Sequence, residues 1–194
     1  MHSDDTRDEE VMAQVAQGRA QLLERLIRRY ATPLLTFIRR QVGDCHRSEE
    51  LFQEVFLAVW TKRHQYEFPR SFKNWLYAIA LNKCRARYRD RSLSEVSLSE
   101  EDIPPTREIS PVESLLASET ADTVGRAVLT LPAQQRAVVT LRIWENMPYA
   151  RIARIVGCTE ATVRSHMHLG LKALRSVLAP RLGGQHITGD PRPI

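Results

Sequence analysis

Over most of this chain apolar residues return every three or four positions, and no stretch alternates convincingly with period two. That spacing puts one apolar stripe on each helix and leaves nothing to build a half-buried sheet. The pattern breaks once. Residues 93–119 are rich in Ser, Glu and Pro, and Pro104-Pro105 excludes a continuous helix there. The expectation is an all-α protein of two small helical domains, 8–92 and 120–181, joined by a flexible acidic linker over 93–119. Residues 182–194 hold too few apolar side chains to pack and read as a disordered tail.

Charge follows the same division. Residues 19–92 carry net +9 and residues 120–181 net +6, whereas residues 1–18 carry −4 and residues 93–119 carry −6. Two basic modules separated by an acidic connector suit a polyanion partner. No apolar run approaches the ~20 residues that span a bilayer. The acidic start, Met1 to Glu10, is unlike a secretory signal, so a cytoplasmic protein is expected. Cys45, Cys84 and Cys158 stand singly, which fits isolated thiols rather than a disulfide framework or a metal site. The sequence offers no nucleophile–base pair, metal-spaced cluster or Gly-rich phosphate loop. No catalytic residue, metal, cofactor or small-molecule substrate is therefore expected.

Local signals place the helices. Gly18 separates the first two segments, Pro33 kinks or restarts the second, and Gly43-Asp44 ends it. Ser48 is the expected N-cap of a helix to about Lys62, and Ser71 of one from Phe72 to about Arg89. Helicity resumes near Pro111 or Ser114, and Pro132 and Pro148 open two more helices. Pro148 to Ile155, a turn at Val156-Gly157-Cys158, and a helix capped by Thr159 and ending before Pro180 form a helix-turn-helix. In its second helix Val163, Met167, Gly170, Leu171, Leu174 and Leu178 share one stripe. The opposite side carries Ala161, Ser165, His168, Leu169 and Lys172, flanked by Thr162, Arg164 and Arg175. That side faces a DNA groove, with Thr159 and Thr162 at the helix N-terminus within reach of phosphate or base edges.

Leu131-Pro132-Ala133-Gln134-Gln135-Arg136-Ala137-Val138-Val139, Tyr149-Ala150-Arg151-Ile152-Ala153, Thr162-Val163-Arg164-Ser165 and Lys172-Ala173-Leu174-Arg175 resemble the C-terminal domain of extracytoplasmic-function (ECF) group sigma factors of bacterial RNA polymerase. The resemblance implies recognition of the −35 promoter element by Thr159, Thr162, Arg164, Ser165, His168, Lys172 and Arg175. Family members often carry Arg where this chain has His166, Leu169 and Leu171. Leu171 lies on the core stripe, but Leu169 lies where a phosphate contact is expected.

In the first half, Glu49 to Trp60 is apolar around most of its circumference, with a polar strip of Glu50, Gln53 and Glu54 on which Leu57 also lies. Such a helix is buried on several sides or docked to a partner. It is similar to the sigma-factor helix that binds the polymerase clamp, which implies polymerase contacts for Glu50, Gln53, Glu54 and Leu57. From Phe72 onward, Phe72, Trp75, Ile79 and Ala86 read as core. The other faces interleave aromatic and basic residues, as single-stranded DNA requires. This stretch resembles the −10-reading helix of the same family, which implies roles for Lys73, Asn74, Tyr77, Asn82, Lys83 and Arg85. Tyr77 is the stacking candidate, and the loop His64 to Arg70 corresponds to the one that captures a flipped base.

The expected function is direction of core RNA polymerase to specific promoters, with help in opening the DNA. Core polymerase and promoter DNA are the implied partners, and an anti-sigma factor is left open as a third. The competing reading is a helix-turn-helix regulator whose N-terminal domain senses a ligand and dimerises through Leu51 to Trp60.

Overall fold

The structure, a computed structural model, describes residues 7–94 and 115–182, and among them all regular structure is helical. The eight α-helices are α1 (Asp8–Ala16), α2 (Leu23–Val42), α3 (Cys45–Thr61), α4 (Phe72–Ser94), α5 (Leu115–Leu129), α6 (Ala133–Ile143), α7 (Tyr149–Val156) and α8 (Glu160–Leu182). Single 3₁₀ turns at Ala20–Leu22 and Arg63–Gln65 join α1 to α2 and follow α3. Of the expected linker, residues 95–114 lie outside the described residues, as do residues 183–194 of the expected tail. None of the described helices is long and apolar enough to cross a membrane.

The N-terminal four helices pack around α2. Its stripe of Leu26, Tyr30, Leu34, Phe37 and Ile38 is buried. Pro33 does not restart the helix: α2 runs unbroken from Leu23 to Val42. A proline removes one ladder bond, but Tyr30 and Leu34 anchor the flanking turns in the core. Glycine then stops α2, with Gly43 in the left-handed region at φ 78°. The expected cap at Ser48 is also corrected. Asp44 caps α3, its carboxylate accepting from the Arg47 N–H at 2.8 Å, while Ser48 is buried one turn in and bonds the Asp44 carbonyl. Asp44 is the earlier cap-forming side chain and takes the free N–H first. Acidic residues of α1 tie the bundle together. Asp8 accepts from the Tyr30 hydroxyl at 2.6 Å and pairs with Arg29, and Glu9 accepts from the Phe72 N–H at 3.2 Å, placing a carboxylate at the start of α4.

In the C-terminal four helices, α7 buries Ile152, Ala153, Ile155 and Val156. Gly157 adopts φ 80° and closes the turn with its N–H on the Ala153 carbonyl at 2.9 Å. Thr159 caps α8 as expected, its hydroxyl accepting from the Thr162 N–H at 3.2 Å. Val163, Met167 and Leu174 are buried. Gly170 lies so close to α6 that a Cβ there would stand 2.7 Å from Cγ2 of Val139. Rather than ending before Pro180, α8 continues through it to Leu182. The proline sits in the exposed last turns, where one missing ladder bond is cheap.

The two halves are packed together, α6 and α5 against α2 and α7 against α4. Arg136 lies at the seam, 9% exposed. Its guanidinium donates to the Leu129 and Leu131 carbonyls at 2.8 and 2.9 Å within the C-terminal half. It also reaches the Gln41 carbonyl and, at 2.6 Å, the Tyr88 hydroxyl of the N-terminal half. The Gln41 side-chain amide donates a hydrogen bond to the buried Thr140 hydroxyl at 3.3 Å. The turn at Gly43 is close-fitting for the same reason: a Cβ there would meet Cδ1 of Leu129 at 3.0 Å.

Candidate nucleic-acid and polymerase interfaces

Three surfaces hold the residues singled out from sequence. The first is the outer strip of α3. Glu50, Gln53, Glu54 and Leu57 all face solvent, Leu57 at 64% exposure, while Leu51, Val55, Phe56 and Val59 are buried inside the N-terminal bundle. The apolar side of this helix is thus spent within the chain, and Leu57 alone projects from the strip. It borders a groove of ≈ 460 Å³ between α3 and α4, lined also by Ala58, Ile79, Asn82 and Ala86. Glu54 and Lys83 pair across the groove at 2.8 Å, joining a residue expected to touch polymerase with one expected to touch DNA.

The second surface is α4, where the structure departs most from the sequence reading. Asn82 is exposed and Lys83 half-buried, as a strand-binding face requires. Tyr77, expected to offer a free ring, has no exposed surface: it packs edge-on against Phe37 at 5.1 Å. Periodicity put Tyr77 on a face away from the core stripe, but Phe37 of α2 and Glu145 of the C-terminal half enclose it from two sides. Its hydroxyl faces the Glu145 carboxylate without reaching hydrogen-bond geometry, and burial, reinforced by that carboxylate, pushes the phenol far above its ordinary range. Oδ1 of Asn74 is likewise buried with no partner. Buried polar atoms left in that state cost about 1–3 kcal/mol each.

Two cations of this face, Lys73 and Arg85, are held by the C-terminal half. Lys73 pairs with the Glu145 carboxylate at 3.0 Å, where the Glu145 side chain is 6% exposed, and also donates to the Glu145 carbonyl at 3.4 Å. Arg85 donates to Oε1 of Gln134 at 2.9 Å and to the Val156 carbonyl at 3.1 Å; burial lowers its pKa from the ordinary arginine value. Arg40 of α2 stacks over the Trp144 ring at 4.1 Å. The sequence reading missed this seam of Gln41, Tyr88, Gln134, Arg136, Trp144 and Glu145. One signal was available: Arg136 sits beside the apolar run Ala137-Val138-Val139. In the loop before α4, Tyr66 packs on Trp75 of that helix at 5.4 Å, whereas His64 and Phe68 are exposed.

The third surface is the outer face of α8. Thr159, Arg164, Ser165, His168, Lys172 and Arg175 are exposed and Thr162 is half-buried, so the expected groove side is assembled and open. The Thr159 and Thr162 hydroxyls bond each other at 2.8 Å, and the Ser165 hydroxyl donates to the Ala161 carbonyl at 3.2 Å. Arg164 is braced by Glu160 at 3.4 Å and by the Tyr149 ring at 5.7 Å. Leu169, 48% exposed, lies in the middle of this polar face. The Cys84 thiol is buried and pushed up to about 12, Cys45 is exposed and Cys158 half-buried.

Comparison with known proteins bears on the family and the fold. The family model for Sigma-70 region 2 matches residues 26–93, and that for Sigma-70, region 4 matches residues 121–174. The chain is 28% identical over 185 residues to the RNA polymerase sigma-H factor of Pseudomonas aeruginosa, covering 91% of this chain and 96% of that protein. It is 25% identical over 174 residues to the ECF RNA polymerase sigma factor SigW of Bacillus subtilis, covering 85% and 93%. The solved structure of CnrH in complex with the cytosolic domain of CnrY shares the fold, with a TM-score of 0.67 at 22% identity over 89% of this chain and 97% of that one. α3 lies within the first matched region and the turn of the helix-turn-helix within the second: the chain belongs to the sigma-70 family of RNA polymerase sigma factors, in its ECF group.

Proposed function

We propose that this sigma factor docks on core RNA polymerase through the α3 strip of Glu50, Gln53, Glu54 and Leu57. The α8 face reads the upstream promoter element as duplex, and α4 holds the −10 element as a single strand. The observation that carries this reading is the outer face of α8, where six of the seven residues expected at the −35 element are exposed on a capped helix seated against α6 and α7. The polymerase supplies the chemistry, and this chain supplies position. Two modest DNA contacts on one chain reinforce each other through effective concentration. The regulator reading loses its dimer face, because Leu51, Val55, Phe56 and Val59 are consumed in the chain's own core.

Leu57 tests the docking surface. An exposed leucine replaced by glutamate changes stability little, so Leu57→Glu is expected to keep the wild-type thermal transition. It is expected to lose about tenfold or more in affinity for core polymerase, measured by competition for core. Unchanged affinity would remove α3 from the interface.

Leu169 tests the α8 face. A residue touching phosphate in duplex DNA adds about one unit to the salt slope. Leu169→Arg is expected to tighten binding to upstream promoter duplex and to steepen that slope by about one. The same slope in both proteins would place Leu169 away from the phosphates.

A further inference from the structure

We infer, on the reading of α8 as the duplex-binding helix, that Leu169 recognises a thymine of the upstream element by its C5-methyl group. The outer face of α8 is split lengthwise by charge. Residues three and four apart are neighbours on a helix surface. Arg164, His168, Lys172 and Arg175 therefore line one edge, and Thr162, Ser165, Leu169 and Ser176 line the other. Arg164, Lys172 and Arg175 make the first edge cationic and are exposed, and a depression of ≈ 420 Å³ lies among His168, Leu171, Lys172 and Arg175. Charged donors gathered in this way suit the phosphate wall of a groove.

The second edge carries no charge, and its serine hydroxyls donate to their own helix. Ser165 bonds the Ala161 carbonyl at 3.2 Å and Ser176 the Ala173 carbonyl at 2.8 Å. Phosphate oxygens only accept, and beside Leu169 this edge has no donor to offer them. Leu169 itself is 48% exposed between the two serines. The other surface of a major groove is the base edges, where adenine, guanine and cytosine present polar groups and thymine adds a methyl. Apolar contact with that methyl is what a leucine on an uncharged edge can make and a polar neighbour cannot. Leu169→Arg brings in the donors this edge lacks, so its salt slope reads a phosphate beside the leucine. The thymine methyl reads what the leucine itself touches.

The test uses the full chain on core RNA polymerase and linear duplexes randomised upstream of the transcript start. The enriched motif farther from the start is resynthesised with each thymine replaced singly by uracil, which lacks only the C5-methyl. Wild type is expected to lose roughly fourfold in affinity at one of these positions, the worth of one buried methyl. Leu169→Ala, a change at an exposed helical position, is expected to bind thymine and uracil there within about 1.5-fold of each other, with its preferences elsewhere in the motif unchanged. Equal discrimination by the two proteins would overturn the inference, as would an upstream motif with no methyl-dependent position. The functional reading fails separately. If Lys172→Ala and Leu169→Ala both leave upstream binding and its salt slope unaltered, α8 is not the duplex-reading face and the inference falls with it. If Lys172→Ala weakens binding across sequences but no thymine depends on Leu169, α8 reads the duplex and only the methyl contact is refuted.

Discussion

Arg136→Met is expected to lower stability by about 3 kcal/mol, with a fall of roughly 6–12 °C in the main thermal transition. Methionine keeps the apolar stem but leaves the Leu129, Leu131 and Gln41 carbonyls without the donors they now share in a site that is 9% exposed. Each buried acceptor left unpaired costs about 1–3 kcal/mol, partly relieved where water can enter. Arg136→Lys is expected to recover only part of the loss, because an ammonium cannot fork to several carbonyls as a guanidinium does. Differential scanning calorimetry on the three proteins checks this. A loss below about 1 kcal/mol for the methionine variant would mean that the guanidinium contributes nothing beyond its stem.

The second large effect is expected at Gly170, where α8 is seated. A leucine there must displace Val139, whose side chain is fully buried, because even its Cβ would lie 2.7 Å from Cγ2. Overpacking of this kind costs about 1–3 kcal/mol, and relief comes most readily by lifting α8 away from α6. Gly170→Leu is expected to destabilise the chain by about 2 kcal/mol and to weaken duplex binding, since the groove-facing side chains tilt with the helix. Gly170→Ala is expected to cost less, because it adds only the Cβ to the contact with Val139 and also regains roughly 1 kcal/mol of helix propensity over glycine. Pairing it with Val139→Ala removes the clash and isolates it as the cause. Denaturant titration of wild type and the three variants reads the energies, and anisotropy on a duplex reads the helix position. Equal stability of wild type and Gly170→Leu would show that α6 and α8 can part at no cost.

The helix-turn-helix was legible because each part has a local signal: a cap at Thr159, a glycine at the turn, and a stripe from Val163 to Leu174. The α3 strip was legible for a similar reason, since a helix apolar on most sides leaves few residues to face outward. Periodicity was less informative where partners are distant in sequence. Tyr77 and Lys73 lie on flanks of α4 whose surroundings depend on a half of the chain about seventy residues away, and no local pattern reports that contact. The start of α3 and the passage through Pro33 and Pro180 differed for smaller reasons, a competing cap in one case and anchored or exposed turns in the others. The placement of Leu169 came from face analysis alone, and its exposure agrees with that analysis.

The central claim is that this protein gives polymerase its promoter specificity. Run-off transcription on a library of promoter fragments, with purified core polymerase alone and with this chain added, tests it most directly. The expected result is discrete, sequence-dependent transcripts only when the chain is present, and their loss with Leu57→Glu. Transcripts no more promoter-dependent with the chain than with core polymerase alone would contradict it.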